Sequence, residues 1–222
     1  YDYIKNVWFY NLPGSFDFWE RHYNQDGTKI MPTLENGCYD RLSMAKKGIQ
    51  ELVDMIAAQN AKVTGDGLRS RVAFWSFADE YSKITGDKRD KGLYNYTPLT
   101  DNYEQVKRAV SEVKNYSGTY YLSSLQEAYD IITTRNATDS RRKNVYTKVI
   151  FISDGECETD LGNVRAKAAQ IRSLPNTELF TLAIGMTADA SGAKLLQEIA
   201  GSADHTANFW QTLSFDGGNG SA

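Results

Sequence analysis

Hydroxyls, carboxylates and small residues gather at three points in this sequence, each beside an apolar run or a helical pattern. Asn11-Leu12-Pro13-Gly14-Ser15 follows the run Ile4 to Tyr10, Ser117-Gly118-Thr119 precedes a helical pattern, and Ser153-Asp154-Gly155-Glu156 follows Val149 to Ile152. In an open α/β sheet, ligands bind outside the carboxyl ends of the strands, so function is to be sought at such places. They do not compose a hydrolytic or phosphate-handling site: the chain has no Gly-rich phosphate loop, no GxSxG elbow and no paired histidines. Its two histidines, His22 and His205, stand in no triad or ligand spacing. Cys38 and Cys157 lack any CxxC or Cys/His spacing, which argues against zinc and leaves a single disulfide or two buried thiols. Taken singly, each oxygen-bearing residue also has a plain reading. Asp154-Gly155 suits a turn after a strand, Ser15 and Thr119 suit helix caps, and Pro13-Gly14 suits an ordinary turn.

Elements that could position these residues are readable from periodicity. Ile4 to Tyr10, Val149 to Ile152 and Leu179 to Ile184 are short β-branched or aromatic runs with polar punctuation, as expected of buried parallel strands, and Arg71 to Phe77 is apolar enough for a central one. Arg41 to Gln59 sets Leu42, Ala45, Ile49, Leu52, Val53 and Ile56 on one stripe, which predicts an amphipathic helix lying on a sheet. Further helices are predicted over Tyr103 to Val113, with Thr100 or Asp101 as N-cap, over Leu122 to Thr133, over Val164 to Leu174 ahead of Pro175, and over Lys194 to Ala200 ending at Gly201. The Gly-, Asp- and Lys-rich stretch Lys83 to Tyr96 reads as a hairpin that adds an antiparallel edge strand. Strands alternating with helices give an α/β fold: a three-layer, Rossmann-like open sheet, mostly parallel, with helices on both faces. One domain over residues 1–215 is expected, with an inserted loop over 16–38 and a linker-like tail over 216–222.

Composition narrows the partners. The chain has 222 residues, 41% of them hydrophobic, enough for a packed core. Basic and acidic residues number 25 and 28 with no polybasic run, so nucleic acid is a poor partner. No stretch reaches the ~18 apolar residues that span a bilayer, so no membrane insertion is expected. Four Asn-X-Ser/Thr sequons, at Asn95, Asn115, Asn136 and Asn219, carry little weight in a chain this rich in those residues.

The order and setting of the three oxygen-bearing points resemble the von Willebrand factor A (integrin I-like) family. KVIFISDGE (Lys148 to Glu156) and ELFTLAIGM (Glu178 to Met186) are similar to that family's fourth and fifth strands, and RLSMAKKGIQELV (Arg41 to Val53) to its first helix. The likeness runs from about Ile4 to Trp210; a final helix after Trp210, usual in the family, is not evident. The resemblance implies a metal-ion-dependent adhesion site at which a DxSxS loop, a Thr and an Asp hold Mg²⁺ (or Mn²⁺ or Ca²⁺), with the partner's own acidic side chain completing the shell. Carried over to this chain, the metal residues are Asn11, Ser15, Thr119 and Asp154. Two positions depart from the pattern: Asn11 replaces Asp, which removes a charge, and Pro13 replaces the first Ser, which removes a side-chain oxygen. Asp154 is then the one anchoring carboxylate, with Glu156 and Glu158 as outer-shell substitutes.

Under that resemblance, the aromatics Phe16, Phe18, Trp19, Tyr23 and Tyr39, with Tyr120 and Tyr121, project around the same sheet edge, and Trp19, Tyr120, Tyr121 and Glu156 are expected to touch a partner. Phe16 and Phe18 fit equally a small core for the long loop itself. Cys38 and Cys157 are expected to meet on that face and form a disulfide, which implies an oxidising compartment. The function implied is an extracellular or cell-surface adhesion module, of a bacterial surface or pilus protein, binding a host or matrix protein. Two alternatives stand beside it: an assembly module whose degenerate site binds no metal, and an α/β hydrolase-type enzyme, which the missing catalytic motifs disfavour.

Overall fold

The structure is a computed structural model and describes residues 41–65, 67–78, 92–114, 118–134, 145–154, 156–157, 160–186, 190–201 and 208–212. The predicted amphipathic pattern forms helix α1 over Arg41–Asn60. Its stripe is narrower than the sequence suggests: Val53 is fully buried, whereas Leu52 is exposed at the margin. Strand β1 (Val72–Phe77) pairs antiparallel with β2 (Leu93–Thr100), Val72 opposite Thr100 and Phe77 opposite Leu93, with two breaks in register between. An antiparallel edge strand was expected from Lys83 to Tyr96; residues 83–91 of that stretch lie outside the described ones, and its end falls in β2.

Helix α2 (Tyr103–Ser111) begins one residue beyond the expected caps. Asn102 is its N-cap, accepting from the Gln105 amide at 3.2 Å, while Thr100 Oγ1 accepts from the Asn102 amide at 3.0 Å. The remaining elements follow as α3 (Tyr121–Thr134), β3 (Thr147–Ser153), α4 (Leu161–Arg172), β4 (Thr177–Ile184), α5 (Ser191–Ala200) and β5 (Phe209–Thr212). Asp160 caps α4 by accepting from the Gly162 and Asn163 amides, and α5 stops at Gly201, whose φ of 126° a side chain rarely tolerates.

β3, β4 and β5 form a parallel sheet in that order, with Thr147 beside Thr177, Ser153 beside Ala183 and Thr181 beside Phe209. Period-two alternation divides the strands between two cores. Phe151, Leu179 and Ala183 meet α3, α4 and α5 through Leu125, Val164 and Leu196. Val72 and Phe74 of β1 turn the other way, to Val53 of α1 and Val106 and Val110 of α2. Trp75 and Phe77, one residue out of phase, face the first core instead. Helices therefore cover the two faces of β1, as expected of an α/β fold.

Of the four runs expected as neighbours in one sheet, Val149 to Ile152 and Leu179 to Ile184 pair in β3–β4–β5 and Arg71 to Phe77 lies in the β1–β2 pair. Among the described residues the two sheets are joined by side chains: Phe77 stacks on Phe151, and Trp75 Nε1 donates to Ser124 Oγ of α3 at 2.8 Å. The run Ile4 to Tyr10 lies outside the described residues.

Candidate functional site

Strand direction decides where the oxygen-bearing residues arrive. β3 and β4 run parallel and in register to Ser153 and Ala183, so Asp154 and Gly185 emerge together at the carboxyl edge of the sheet. Glu156 and Cys157 continue from Asp154: Glu156 is exposed, and Cys157 is half-buried against the main core. The Ser191 hydroxyl at the start of α5 donates to the Glu156 carboxylate, a position where the helix dipole also favours negative charge.

Two residues after Thr119, the chain is anchored beside the end of β3. Tyr121, the first residue of α3, lies edge-on to Phe151 with centroids 4.9 Å apart and is hydrogen-bonded by Ser153. Burial, opposed by that hydrogen bond and assisted by the nearby Cys157 and Asp154, holds its phenol well above the ordinary tyrosine range. Tyr121 is fully buried, which corrects its assignment to a partner-binding surface. An aromatic ring at the first turn of a helix that lies on a sheet serves as a core knob, and its polar tip is satisfied inside. Tyr120 and Thr119 remain half-buried. Asn11, Ser15, Trp19 and Cys38, with Glu158, lie outside the described residues, so the implied metal set and disulfide are seen here only through Thr119, Asp154 and Cys157.

A residue that the sequence reading did not assign to this edge occupies its middle. Arg41, the first residue of α1, places its guanidinium between the ends of β3 and β4. Nη1 donates to the Asp154 carbonyl oxygen at 3.2 Å and lies 3.8 Å from its carboxylate Oδ2. The Arg41 side chain is only 14% exposed against 53% for Asp154. Gly185 makes room for it: a Cβ there would stand 2.4 Å from Arg41 Nε and 3.1 Å from Cδ, and the backbone φ of 64° also favours glycine. The signal for Arg41 was available in principle. A basic residue in the first turn of a helix opposes the macrodipole, so its presence there asks for another partner.

This arrangement bears on the implied metal. In the donor set carried over from the resemblance, the amide of Asn11 and the hydroxyls of Ser15 and Thr119 are neutral, and the single carboxylate of Asp154 already faces a guanidinium. A dication about 5 Å from that guanidinium would meet repulsion of about 2 kcal/mol in water-like surroundings and about 7 kcal/mol at an effective dielectric of about 20. Among the described residues, Asp154 beside this guanidinium is therefore a poor seat for a divalent cation. A separate groove of about 460 Å³ runs between α3 and α4, lined by Leu122, Gln126, Asn163 and Lys167 among others, and contains none of the residues at the strand ends.

No curated protein matches the sequence significantly. Sixteen chains of solved structures do, among them one from Vibrio fischeri described as an uncharacterized membrane spanning protein. It is 16% identical, covers 87% of this chain and 83% of its own, and superposes with a TM-score of 0.31, too low to bear on fold or function. The family model for the von Willebrand factor type A domain matches residues 41–215, from the arginine at the sheet edge to beyond β5. The chain belongs to the von Willebrand factor type A domain family.

Proposed function

We propose that this chain is a protein-binding module of the cell surface or extracellular space that engages its partner at the carboxyl edge of the sheet. Domains of this family are commonly interaction or adhesion modules and generally not enzymes. What supports the reading is that Arg41, Asp154 with Glu156, and Ser191 come to the strand ends from three separate segments of the chain. Exposed carboxylates and hydroxyls held by rigid elements, beside half-buried Tyr120, make a surface suited to a polar or basic face of another protein. The partner class is a host or matrix protein bound by a bacterial surface or pilus adhesin, and the aromatic loop over 16–38 with Trp19 adds to the contact. One domain over 1–215 with a linker-like tail over 216–222, and a Cys38–Cys157 bridge that pins the loop beside the edge, belong to the same reading.

Surface plasmon resonance against a panel of purified matrix proteins tests it. Saturable binding is expected for wild type and for the groove variant Gln170→Lys, and loss is expected for the edge variant Glu156→Lys. Binding lost in Gln170→Lys but kept in Glu156→Lys would move the interface to the α3–α4 groove. The second reading, an assembly module that contacts other parts of its own parent protein, is favoured by the charge balance at Asp154 and gains if every matrix protein fails to bind. For the bridge, the unreduced, unfolded protein is expected to show no reactive thiol, and two per chain would remove it.

A further inference from the structure

We propose that the Arg41 guanidinium is the resident cation beside Asp154, the one carboxylate of the metal set that the family resemblance implies, so that the edge operates without metal. Asp154 is the one anion of the implied donor set, since Asn11 and Pro13 replace groups that would supply a charge and an oxygen. Arg41 Nη1 lies 3.8 Å from that carboxylate and is fixed there by its hydrogen bond to the Asp154 backbone carbonyl. The seat is built for the purpose. The stem is largely buried, and Gly185 at positive φ leaves the space that any Cβ would take from Nε and Cδ. The arginine also stands at the helix end where the dipole resists a positive charge, and Asp154 supplies the compensation. A guanidinium presents fixed, planar donors and does not dissociate, so an edge built on it keeps its charge pattern whatever the metal supply. Partner binding there is then insensitive to chelators and weakened by salt. The proposal concerns the same edge as the partner-binding reading, but its test reads metal and not partner, so either can fail alone.

Titration with Mn²⁺ alone, followed by the loss of its free-ion electron paramagnetic resonance signal, decides it. Wild type is expected to show no saturable binding that depends on Asp154, compared with Asp154→Asn as the control. Arg41→Gln is expected to bind Mn²⁺ roughly tenfold or more tightly than wild type, the factor expected on removing one like charge about 5 Å from a dication in water-like surroundings. Circular dichroism checks that the variant is folded. If it is not, Gly185→Ala, which pushes the guanidinium off its seat, takes its place and is expected to gain Mn²⁺ binding likewise. Saturable wild-type binding that Asp154→Asn abolishes overturns the proposal, and so does a folded displacement variant that binds Mn²⁺ no better than wild type.

Discussion

The rings of Phe77 and Phe151 stack with centroids 4.9 Å apart and 19° between their planes, although the strands that carry them share no hydrogen bonds. Tyr121 meets both edge-on, at 5.7 Å and 4.9 Å. This aromatic trio lets the β1–β2 pair and the parallel sheet share one core. Phe151→Ala should therefore cost about 3–5 kcal/mol, the range for a buried Phe truncated to Ala. Urea unfolding should remain a single transition, because Trp75 on β1 and Trp210 on β5 report on the two sheets together. In wild type, fluorescence and circular dichroism midpoints that separate would show two independently melting units.

Alkaline stability follows from the same tyrosine and one other. Burial raises the phenol of Tyr96, and so do the hydrogen bond it donates to Glu127 Oε1 at 2.8 Å and that carboxylate's charge; burial likewise dominates at Tyr121. Both groups are neutral in the folded chain at pH values where an unfolded tyrosine, with a pKa of about 10, has begun to ionise. Their contribution is complete below about pH 10 and is lost as pH rises towards the folded values. Urea midpoints measured between about pH 8 and 11 should hold level and then fall, with a shallower fall in Tyr121→Phe. A midpoint that climbs through pH 10 would contradict the sign.

Helices and parallel strands were legible because burial leaves a period in the sequence: the α1 and α3 stripes, and the apolar runs of β3 and β4, each report one or two covered faces. β5 left no such trace. Its four residues, Phe209 to Thr212, are too few for a pattern, and only pairing with Thr181 to Ile184 makes them a strand. The place of Asp154 after β3 was readable from the apolar run before it. The meeting of Arg41 with Gly185 was not, because it spans 144 positions of chain and is a relation of shape. Tyr121 misled because an aromatic beside a loop reads the same whether it points to solvent or to Phe151.

The C-terminus of α1 is tied to the approach to β1 by a side-chain amide acting as a second backbone. Asn60 Nδ2 donates to the Ser70 carbonyl at 2.8 Å and its Oδ1 accepts from the Ser70 amide at 2.9 Å, while Tyr103 donates to the same carbonyl at 2.6 Å. Asn60 is buried, but Ser70 is exposed and Tyr103 still reaches its carbonyl, so the loss of Asn60 removes two hydrogen bonds without stranding Ser70. Asn60→Ala should cost about 1–3 kcal/mol. Asn60→Asp, which keeps the acceptor and loses the donor, should cost at least as much near neutral pH, because a buried carboxylate would then face the Ser70 carbonyl. Denaturant midpoints of the two variants check this.

Gly185 and Arg41 should show strong coupling in a double-mutant cycle. Gly185→Ala carries two penalties: the αL backbone at φ 64° costs about 1–2 kcal/mol for a residue with a Cβ, and that Cβ would occupy the space of Arg41 Nε and Cδ. Arg41→Ala removes the second penalty and leaves the first. Its own cost is modest, since a partly exposed ion pair contributes about 1 kcal/mol or less and the remainder is lost packing of the stem. The double variant should therefore be more stable than the sum of the single losses implies, with a coupling of about 1 kcal/mol or more. Urea denaturation of the four proteins measures it. Simple additivity would mean that the guanidinium does not rest on Gly185 in solution, and the electrostatic argument at Asp154 would lose its geometric support.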